Sequence, residues 1–191
     1  MVPLPPPPLQ VTTTGFTSRE MFELREARGE GQGRDFLTVG SMGHCSSIAL
    51  GMALSRDDTD PADGKVLCID GDGGCIMHMG AMVTVGQSKA KNFKHLLINN
   101  GMHDSVGGQP SKGLNLDTCA VAMACGYHSA RSVSTREEIN EAMEHLASTE
   151  EGPCFLEVRV KGGSRPNLGR PTTTPIQNKV AYMRNNGVEG Y

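Results

Sequence analysis

The feature that most constrains the fold is a regular alternation of short apolar runs with helix-like segments. One run, KVLCID, is nearly continuous in apolar residues, as is typical of strands buried on both faces of a parallel sheet. The predicted strands are Asp35–Gly40, Lys65–Asp70, Phe93–Ile98, His128–Val133 and Pro153–Val160. Helices are predicted between them at Gly43–Leu54, Cys75–Ser88, Leu116–Gly126 and Ser134–Ala147. This order predicts an α/β fold: a doubly wound, mainly parallel sheet with helices on both faces.

The ends of the chain lack this alternation. A helix that Thr17 or Ser18 caps is predicted to run to Arg28, and a short helix is predicted near Lys179–Arg184. Within the alternating region, Arg56–Gly64 is predicted to be a surface loop. Three segments result: a proline- and threonine-rich tail at 1–17, the α/β domain at 18–162 and a C-terminal tail at 163–191.

Composition narrows the function classes. The net charge of -3 argues against a nucleic-acid or membrane-surface footprint. No apolar run approaches the roughly 20 residues that span a bilayer. The six cysteines form no C-x-x-C pair, and several lie in apolar stretches such as VLCID. We therefore expect reduced, buried thiols and a cytoplasmic protein.

Three glycine-rich loops follow the predicted strands: Gly40–Cys45, Gly71–Cys75 and Asn99–Gln109. In doubly wound sheets, ligands bind beyond the carboxyl ends of the strands, where these loops lie. The second loop is predicted to be a turn, Gly71–Gly74, and the third to be part of a long polar loop reaching Gly113.

Asp72 and Asn100 are the candidate metal ligands in these loops. Asp72 lies in the glycine turn after one buried strand, and Asn100 follows the next strand along the chain. Neighbouring parallel strands end about 5 Å apart, so both side chains are expected to reach one ion. Carboxylate and amide oxygens suit Mg²⁺ or Ca²⁺, and Mg²⁺ in particular commonly also binds phosphate oxygens. Taken alone, each loop is also compatible with an ordinary capped or Asn-Gly turn.

The string GDG, followed one strand later by NN, resembles the cofactor motif of thiamine-diphosphate enzymes. The resemblance implies that Asp72, Asn100 and the backbone carbonyl of Met102 hold Mg²⁺. It also implies the diphosphate domain of the thiamine-diphosphate-binding fold. The residues that would contact the cofactor come from the three loops: Gly40, Ser41, Met42, Gly71, Asp72, Gly73, Gly74, Asn100 and Met102. Met42 would support the bent cofactor, and the amides of Gly73 and Gly74 would face the diphosphate.

Longer strings, such as CIDGDGGCIMHMGAM and LLINNGMHDSVGGQPS, resemble the phosphonopyruvate decarboxylase branch of this family. The resemblance implies decarboxylation of phosphonopyruvate to phosphonoacetaldehyde and CO₂, with His103 and His44 as catalytic residues. Ser105, Gly107 and Gly108 would donate to the anionic headgroup. Lys112 would be a charge partner, and the other four histidines are expected to have no site role. The sulfopyruvate decarboxylase beta subunit is a near alternative.

The family also needs a glutamate that protonates the cofactor, and this residue comes from a pyrimidine-binding domain. No segment of the chain resembles that domain. We therefore expect a partner pyrimidine-binding domain or subunit, a homo- or hetero-oligomer, and no turnover by the chain alone. Two alternatives stay open: a non-catalytic cofactor-binding fragment, and a phosphoryl-transfer enzyme that uses Asp72 with Mg²⁺.

Overall fold

A computed structural model describes residues 8–56 and 64–188. Residues 1–7 of the predicted N-terminal tail and most of the predicted loop Arg56–Gly64 lie outside these residues. The strands are β1 Leu9–Thr12, β2 Asp35–Leu37, β3 Val66–Gly71, β4 Phe93–Asn99, β5 Met102–His103, β6 Gln109–Pro110, β7 Ser129–Val133 and β8 Cys154–Arg159. The α-helices are α1 Phe16–Arg28, α2 Cys45–Leu54, α3 Asp72–Met77, α4 Gly80–Ser88, α5 Thr118–Cys125, α6 Arg136–Ser148 and α7 Pro175–Asn185.

Six of these strands form one sheet in the order β2-β1-β3-β4-β8-β7, and every neighbouring pair is parallel. One core cluster joins the sheet to α2, α4 and α5, through residues such as Ala49, Met82 and Ala122. A second cluster joins the sheet to α6, through Ala142 and Leu146. The predicted doubly wound fold is therefore confirmed, because helices cover both faces of a parallel sheet.

The strand β1 was not predicted. Leu9–Thr12 lies inside the segment expected to be a tail, yet all four residues are buried and pair with both β2 and β3. From β1 the chain passes to β2 on one side and then to β3 on the other. The topological switch point, where doubly wound sheets bind ligands, therefore lies between β1 and β3.

Helix termini were predicted with mixed success. The helix α1 begins at Phe16 after Gly15, so neither Thr17 nor Ser18 caps it; the Ser18 hydroxyl instead donates to the Thr13 carbonyl at 2.7 Å. The helix predicted from Ser134 begins at Arg136 as α6, after a capping box in which Thr135 and Glu138 bond reciprocally.

Three further segments differ from the prediction. The segment Cys75–Ser88 is two helices, broken between Met77 and Gly80. The long polar loop contains the antiparallel pair β5–β6. The C-terminal helix α7 is longer than expected, and its Tyr182 ring packs 5.5 Å from that of Phe36 in β2.

Candidate active site

A cleft of about 560 Å³ opens at the carboxyl ends of β1, β3 and β4. Its lining comes from the segment after β1, the end of β2, the start of α3, the segment after β4 and the stretch before α7. The lining residues are Thr13–Arg19, Leu37–Val39, Met42, Gly71–Gly74, Ile98, Asn100, Met102–Val106, Arg170, Pro171, Thr173 and Pro175. The three predicted loops therefore meet at one cleft, as the sequence indicated.

Asp72 begins the helix α3, so the predicted Gly71–Gly74 turn is in fact a helix start. The first N–H groups of a helix have no partner within it, and its N-terminal end carries partial positive charge. Gly73 and Gly74 provide such N–H groups beside the cleft. The Asp72 side chain is 3% exposed, and its carboxylate accepts a short hydrogen bond from the Ser111 hydroxyl.

Gly73 is the point where the three loops touch. A Cβ atom at this position would lie 2.4 Å from Nδ1 of His103 and 3.2 Å from Cε of Met42. The absence of a side chain therefore lets groups from the other two loops approach the α3 backbone. Both contacting atoms lie at the ends of side chains, so they are able to move when a ligand enters.

The two consecutive asparagines have different surroundings. Asn99 is fully buried; its amide nitrogen donates to Glu157 at 2.6 Å, and its oxygen accepts from the Gly101 N–H at 3.1 Å. Asn100 lines the cleft, donates to Asp104 at 2.8 Å and accepts from the Met102 N–H at 3.1 Å. Asn99 is thus a structural residue, while Asn100 is accessible to a ligand.

The residues of this cleft fit a divalent ion chemically. Asp72, Asn100 and Met102, which all line the cleft, offer a carboxylate, an amide oxygen and a backbone carbonyl. These are hard oxygen donors, which Mg²⁺ prefers, and phosphate oxygens commonly complete its shell. The first N–H groups of α3, at Gly73 and Gly74, suit an anionic group beside these donors.

Other predicted site residues are placed differently. His103 and Ser105 line the cleft, whereas Gly40, Ser41, His44, Gly107, Gly108 and Lys112 are exposed and lie outside its lining. The His44 ring instead lies 4.5 Å from that of His78, a histidine for which we expected no neighbouring site group. The positive φ angles of Gly40, Gly107 and Gly108 give these glycines a conformational role in their loops.

Another polar cluster lies in the core next to Gly74. Ligand atoms of Cys68, Asp70 and His95 lie within 4.8 Å of one another and are fully buried. Asp70 accepts from the Gly71 N–H at 2.8 Å, and His95 contacts the Tyr127 hydroxyl at 3.0 Å. His95 therefore belongs to a buried polar network that the sequence did not reveal. Through Gly71, this network orients the start of α3.

All six cysteines are free thiols. Burial raises the pKa of Cys45 and Cys68, whose sulfur atoms lie 3.5 Å apart in the core. Both thiols therefore stay protonated near neutral pH. No helix in the described part of the chain has both the length and the apolar character needed to cross a bilayer.

Three residues of the cleft region were missed by the sequence reasoning. Ser111 contacts Asp72, and Arg19 and Arg170 line the cleft. The first belongs to the polar segment predicted as a loop, and Arg170 to the segment predicted as a tail. The RPNLGRP string around Arg170 carries a local signal of turns only, so its proximity to the site emerges from tertiary structure.

Residues 14–158 match the family described as "Thiamine pyrophosphate enzyme, C-terminal TPP binding domain". The chain belongs to this family. The match spans the segment after β1, the starts of α2 and α3 and the Asn99–Asn100 pair, so the family assignment and the cleft geometry concern the same residues.

Two curated relatives resemble the chain over most of its length. A phosphonopyruvate decarboxylase of Streptomyces viridochromogenes is 35% identical over 87% of this chain and 39% of the relative. A sulfopyruvate decarboxylase subunit beta of Methanococcus maripaludis is 34% identical over 91% of this chain and 86% of the relative. The chain thus spans about two fifths of the phosphonopyruvate decarboxylases that it matches.

Solved structures support the fold. A thiamin diphosphate-dependent enzyme of Mycobacterium smegmatis, described as putative in its own name, superposes with a TM-score of 0.62 at 22% identity, over 82% of this chain and 29% of its own. A transketolase from Campylobacter jejuni gives a TM-score of 0.56 at 22% identity, over 78% of this chain and 28% of its own. At this identity the likeness concerns the fold alone.

Proposed function

We propose that this chain supplies the diphosphate- and metal-binding half of a decarboxylase that converts phosphonopyruvate to phosphonoacetaldehyde and CO₂. The observation that carries the proposal is the meeting of Met42, Asp72, Gly73, Asn100 and His103 at one cleft of a family member. When bound, thiamine diphosphate would supply the electron sink that makes loss of CO₂ feasible.

The residues of the chain have distinct roles in this proposal. Asp72, Asn100 and the Met102 carbonyl would hold Mg²⁺, and the Gly73 and Gly74 amides would bind diphosphate oxygens. Met42 would pack against the cofactor and support its bent shape. His103 would hold or release a proton near the reacting atoms, since its imidazole ring lies beside Gly73 and imidazole is a common general acid or base. Ser105 would donate a hydrogen bond to the substrate.

A partner must complete the site. The chain matches 86% of a sulfopyruvate decarboxylase beta subunit but only 39% of a phosphonopyruvate decarboxylase. We infer that a pyrimidine-binding domain or subunit covers the cleft and supplies the glutamate that activates the cofactor. The same length comparison supports a second candidate function, the beta-type subunit of a sulfopyruvate decarboxylase.

Calorimetric titration with thiamine diphosphate tests the cofactor site. We expect binding in the presence of Mg²⁺ that is lost after chelation of divalent ions, because the diphosphate would otherwise face the Asp72 carboxylate directly. In Asp72→Asn, affinity should fall at least about tenfold, the loss of one charged interaction of about 1.4 kcal/mol. Asp117→Asn is the matched control: Asp117 caps α5 outside the cleft, and asparagine also caps helices.

Metal-independent binding, or full affinity in Asp72→Asn, would contradict the proposed metal site. Turnover is then measured with a pyrimidine-binding partner supplied in trans, using phosphonopyruvate and sulfopyruvate in separate assays. CO₂ release from phosphonopyruvate supports the first candidate, and release from sulfopyruvate alone supports the second. Release of CO₂ from either substrate by the isolated chain would contradict the proposed half-site.

A further inference from the structure

Two arginines line the cleft without an acidic partner. Arg19 lies in α1, and its guanidinium carbon lies 5.3 Å from the centroid of the Phe16 ring. Arg170 lies in the segment before α7. Within residues 8–56 and 64–188, neither guanidinium forms a hydrogen bond or ion pair. By contrast, Arg25 and Arg165 each contact two carboxylates.

The segment that carries Arg170 is fixed to α1. We call residues 162–174 the C-terminal strap. Arg165 donates to both carboxylate oxygens of Glu20, at 2.9 and 3.0 Å, and to Glu23 at 2.6 Å. The Gly169 N–H donates to Glu23 at 2.7 Å. Single exposed ion pairs contribute little, but this network fixes the residue immediately before Arg170.

The start of the C-terminal strap contacts the segment after β4, which carries two of the proposed metal ligands. The carboxylate of Asp104 accepts from the Gly163 N–H at 2.6 Å and from the Asn100 side chain at 2.8 Å. A Cβ atom on Gly162 would lie only 2.6 Å from the Met102 sulfur, so the strap backbone lies directly against the segment after β4. The strap therefore connects the proposed metal ligands to α1, with Arg170 at the cleft.

We propose that Arg170, assisted by Arg19, binds a tetrahedral acid group, phosphonate or sulfonate, on the substrate of this cleft. This inference rests on the proposed function. A guanidinium presents parallel N–H donors that match two oxygens of such a group. Arg170 has no competing carboxylate, so its donors are free for a ligand in the described structure.

Charge gives a second argument for these arginines. The substrate would carry a carboxylate and a second acid group into a cleft that already contains Asp72 and Asp104. The headgroup donors that the sequence suggested, Ser105, Gly107 and Gly108, are all neutral. The proposed Mg²⁺ would be balanced by Asp72 and the diphosphate, so an entering dianion would still be repelled unless a further cation faced it. Arg19 and Arg170 are the cations among the lining residues, whereas Lys112 lies outside the lining.

Binding of unreactive diacids tests the inference. The full chain, loaded with thiamine diphosphate and Mg²⁺, is titrated with phosphonoacetate, sulfoacetate and malonate, which has a planar carboxylate in place of the tetrahedral group. We expect Arg170→Ala to lower the affinity for phosphonoacetate or sulfoacetate by about 10- to 100-fold, as for loss of a charged hydrogen-bonded pair. Arg170→Lys should recover part of this loss, and malonate should be affected least.

Arg131→Ala is the matched control, because Arg131 is an exposed arginine that pairs with Glu141 and lies outside the cleft lining. It should leave all three affinities unchanged. The stronger of the phosphonoacetate and sulfoacetate responses identifies the acid group. Equal losses for all three diacids would overturn the inference, since they would indicate general charge attraction only.

The same variants are titrated with thiamine diphosphate, so that the two proposals fail separately. If Arg170→Ala lowers the affinity for thiamine diphosphate as much as the affinity for the diacids, Arg170 belongs to the cofactor site and the inference is wrong. If cofactor binding is intact and Arg170→Ala leaves the binding of both phosphonoacetate and sulfoacetate unaffected, the inference is wrong and the proposed function stands. If the wild-type chain binds no cofactor, the proposed function fails, while the diacid titrations repeated without cofactor still test the arginine site.

Discussion

At the scale of single residues, the site depends on a buried carboxylate that never reaches the cleft. Glu157 in β8 accepts hydrogen bonds from Asn99 at 2.6 Å, Ser132 at 2.5 Å and Arg159 at 3.0 Å. Burial by itself would raise the pKa of Glu157, but these hydrogen bonds outweigh it and hold the pKa below its ordinary value of 4.5. Glu157 thereby fixes Asn99, the residue before the proposed metal ligand Asn100.

This lowered pKa has a consequence for stability. A carboxylate whose pKa is lower in the folded state contributes stability above its unfolded pKa and loses it as the pH falls through the folded value. We expect the free energy of unfolding to decrease below about pH 4.5 in part because Glu157 becomes protonated. Glu157→Gln should cost about 1–3 kcal/mol at neutral pH, as for disrupted buried hydrogen bonds, and should flatten the acid decrease.

Urea unfolding at several pH values measures both effects. Glu137→Gln is the matched control, because Glu137 is an exposed residue of α6. The explanation is wrong if the Glu157→Gln protein loses stability between pH 6 and pH 3 (about three pH units) as steeply as the control, since a missing group is unable to contribute a proton-linked term.

The sequence predicted those site residues that are anchored by local backbone pattern. Asp72, Gly73 and Asn100 follow directly from buried apolar strands, so the strand pattern alone places them at the sheet edge. The strand pattern did not place His44, because its ring contacts that of His78 and lies outside the cleft lining. Arg170 lay beyond such reasoning, since ion pairs to α1 far away in the sequence position it.

At the scale of elements, the helices α4 and α5 meet through a glycine. A Cβ atom on Gly86 would lie 2.2 Å from the carbonyl oxygen of Cys125, a backbone atom that has little freedom to move. We expect Gly86→Ala to lower the free energy of unfolding by about 1–3 kcal/mol, the usual cost of overpacking. Gly80→Ala, in the same helix with no atom within 4 Å of its Cβ position, should be neutral or stabilising.

Thermal or urea unfolding of the two alanine variants measures this difference. Equal stability of the two variants would show that α4 and α5 shift apart at little cost, contrary to the close backbone contact. The experiment also bears on the site, because α4 follows α3 after a short break and supports the start of the cleft wall from the core side.

Elements differ in how far the sequence could predict them. The strands β3, β4 and β8 are rich in apolar residues, and α6 has a capping box, so local signals sufficed. The strand β1 is four residues long and follows a proline run, and only its pairing with β2 and β3 gives it a strand conformation. The short pair β5–β6 depends likewise on contacts within the folded loop.

At the scale of the whole molecule, the cleft lining includes two strongly exposed apolar side chains. Val39 and Val106 line the cleft and are 66% and 70% exposed. Exposed apolar residues clustered at one site commonly mark a protein interface. The chain also spans about two fifths of the phosphonopyruvate decarboxylases that it matches. Both observations support a partner pyrimidine-binding domain that covers these valines when it completes the site.

Aspartates in place of Val39 and Val106 should therefore weaken assembly with the partner but leave the fold of this chain intact. We expect the double variant Val39→Asp with Val106→Asp to weaken association with a pyrimidine-binding partner at least about tenfold, because an unpaired charge would have to be desolvated in the interface. Leu54→Asp is the matched control: Leu54 is 61% exposed, and its neighbour Ala53 contacts Asn92 at the start of β4, away from the cleft. Sedimentation with the partner measures association, and cofactor titration shows whether the half-site is preserved. If the double valine variant binds the partner as tightly as the Leu54→Asp control does, the partner covers a different surface. The proposed shared site at this cleft would then be wrong.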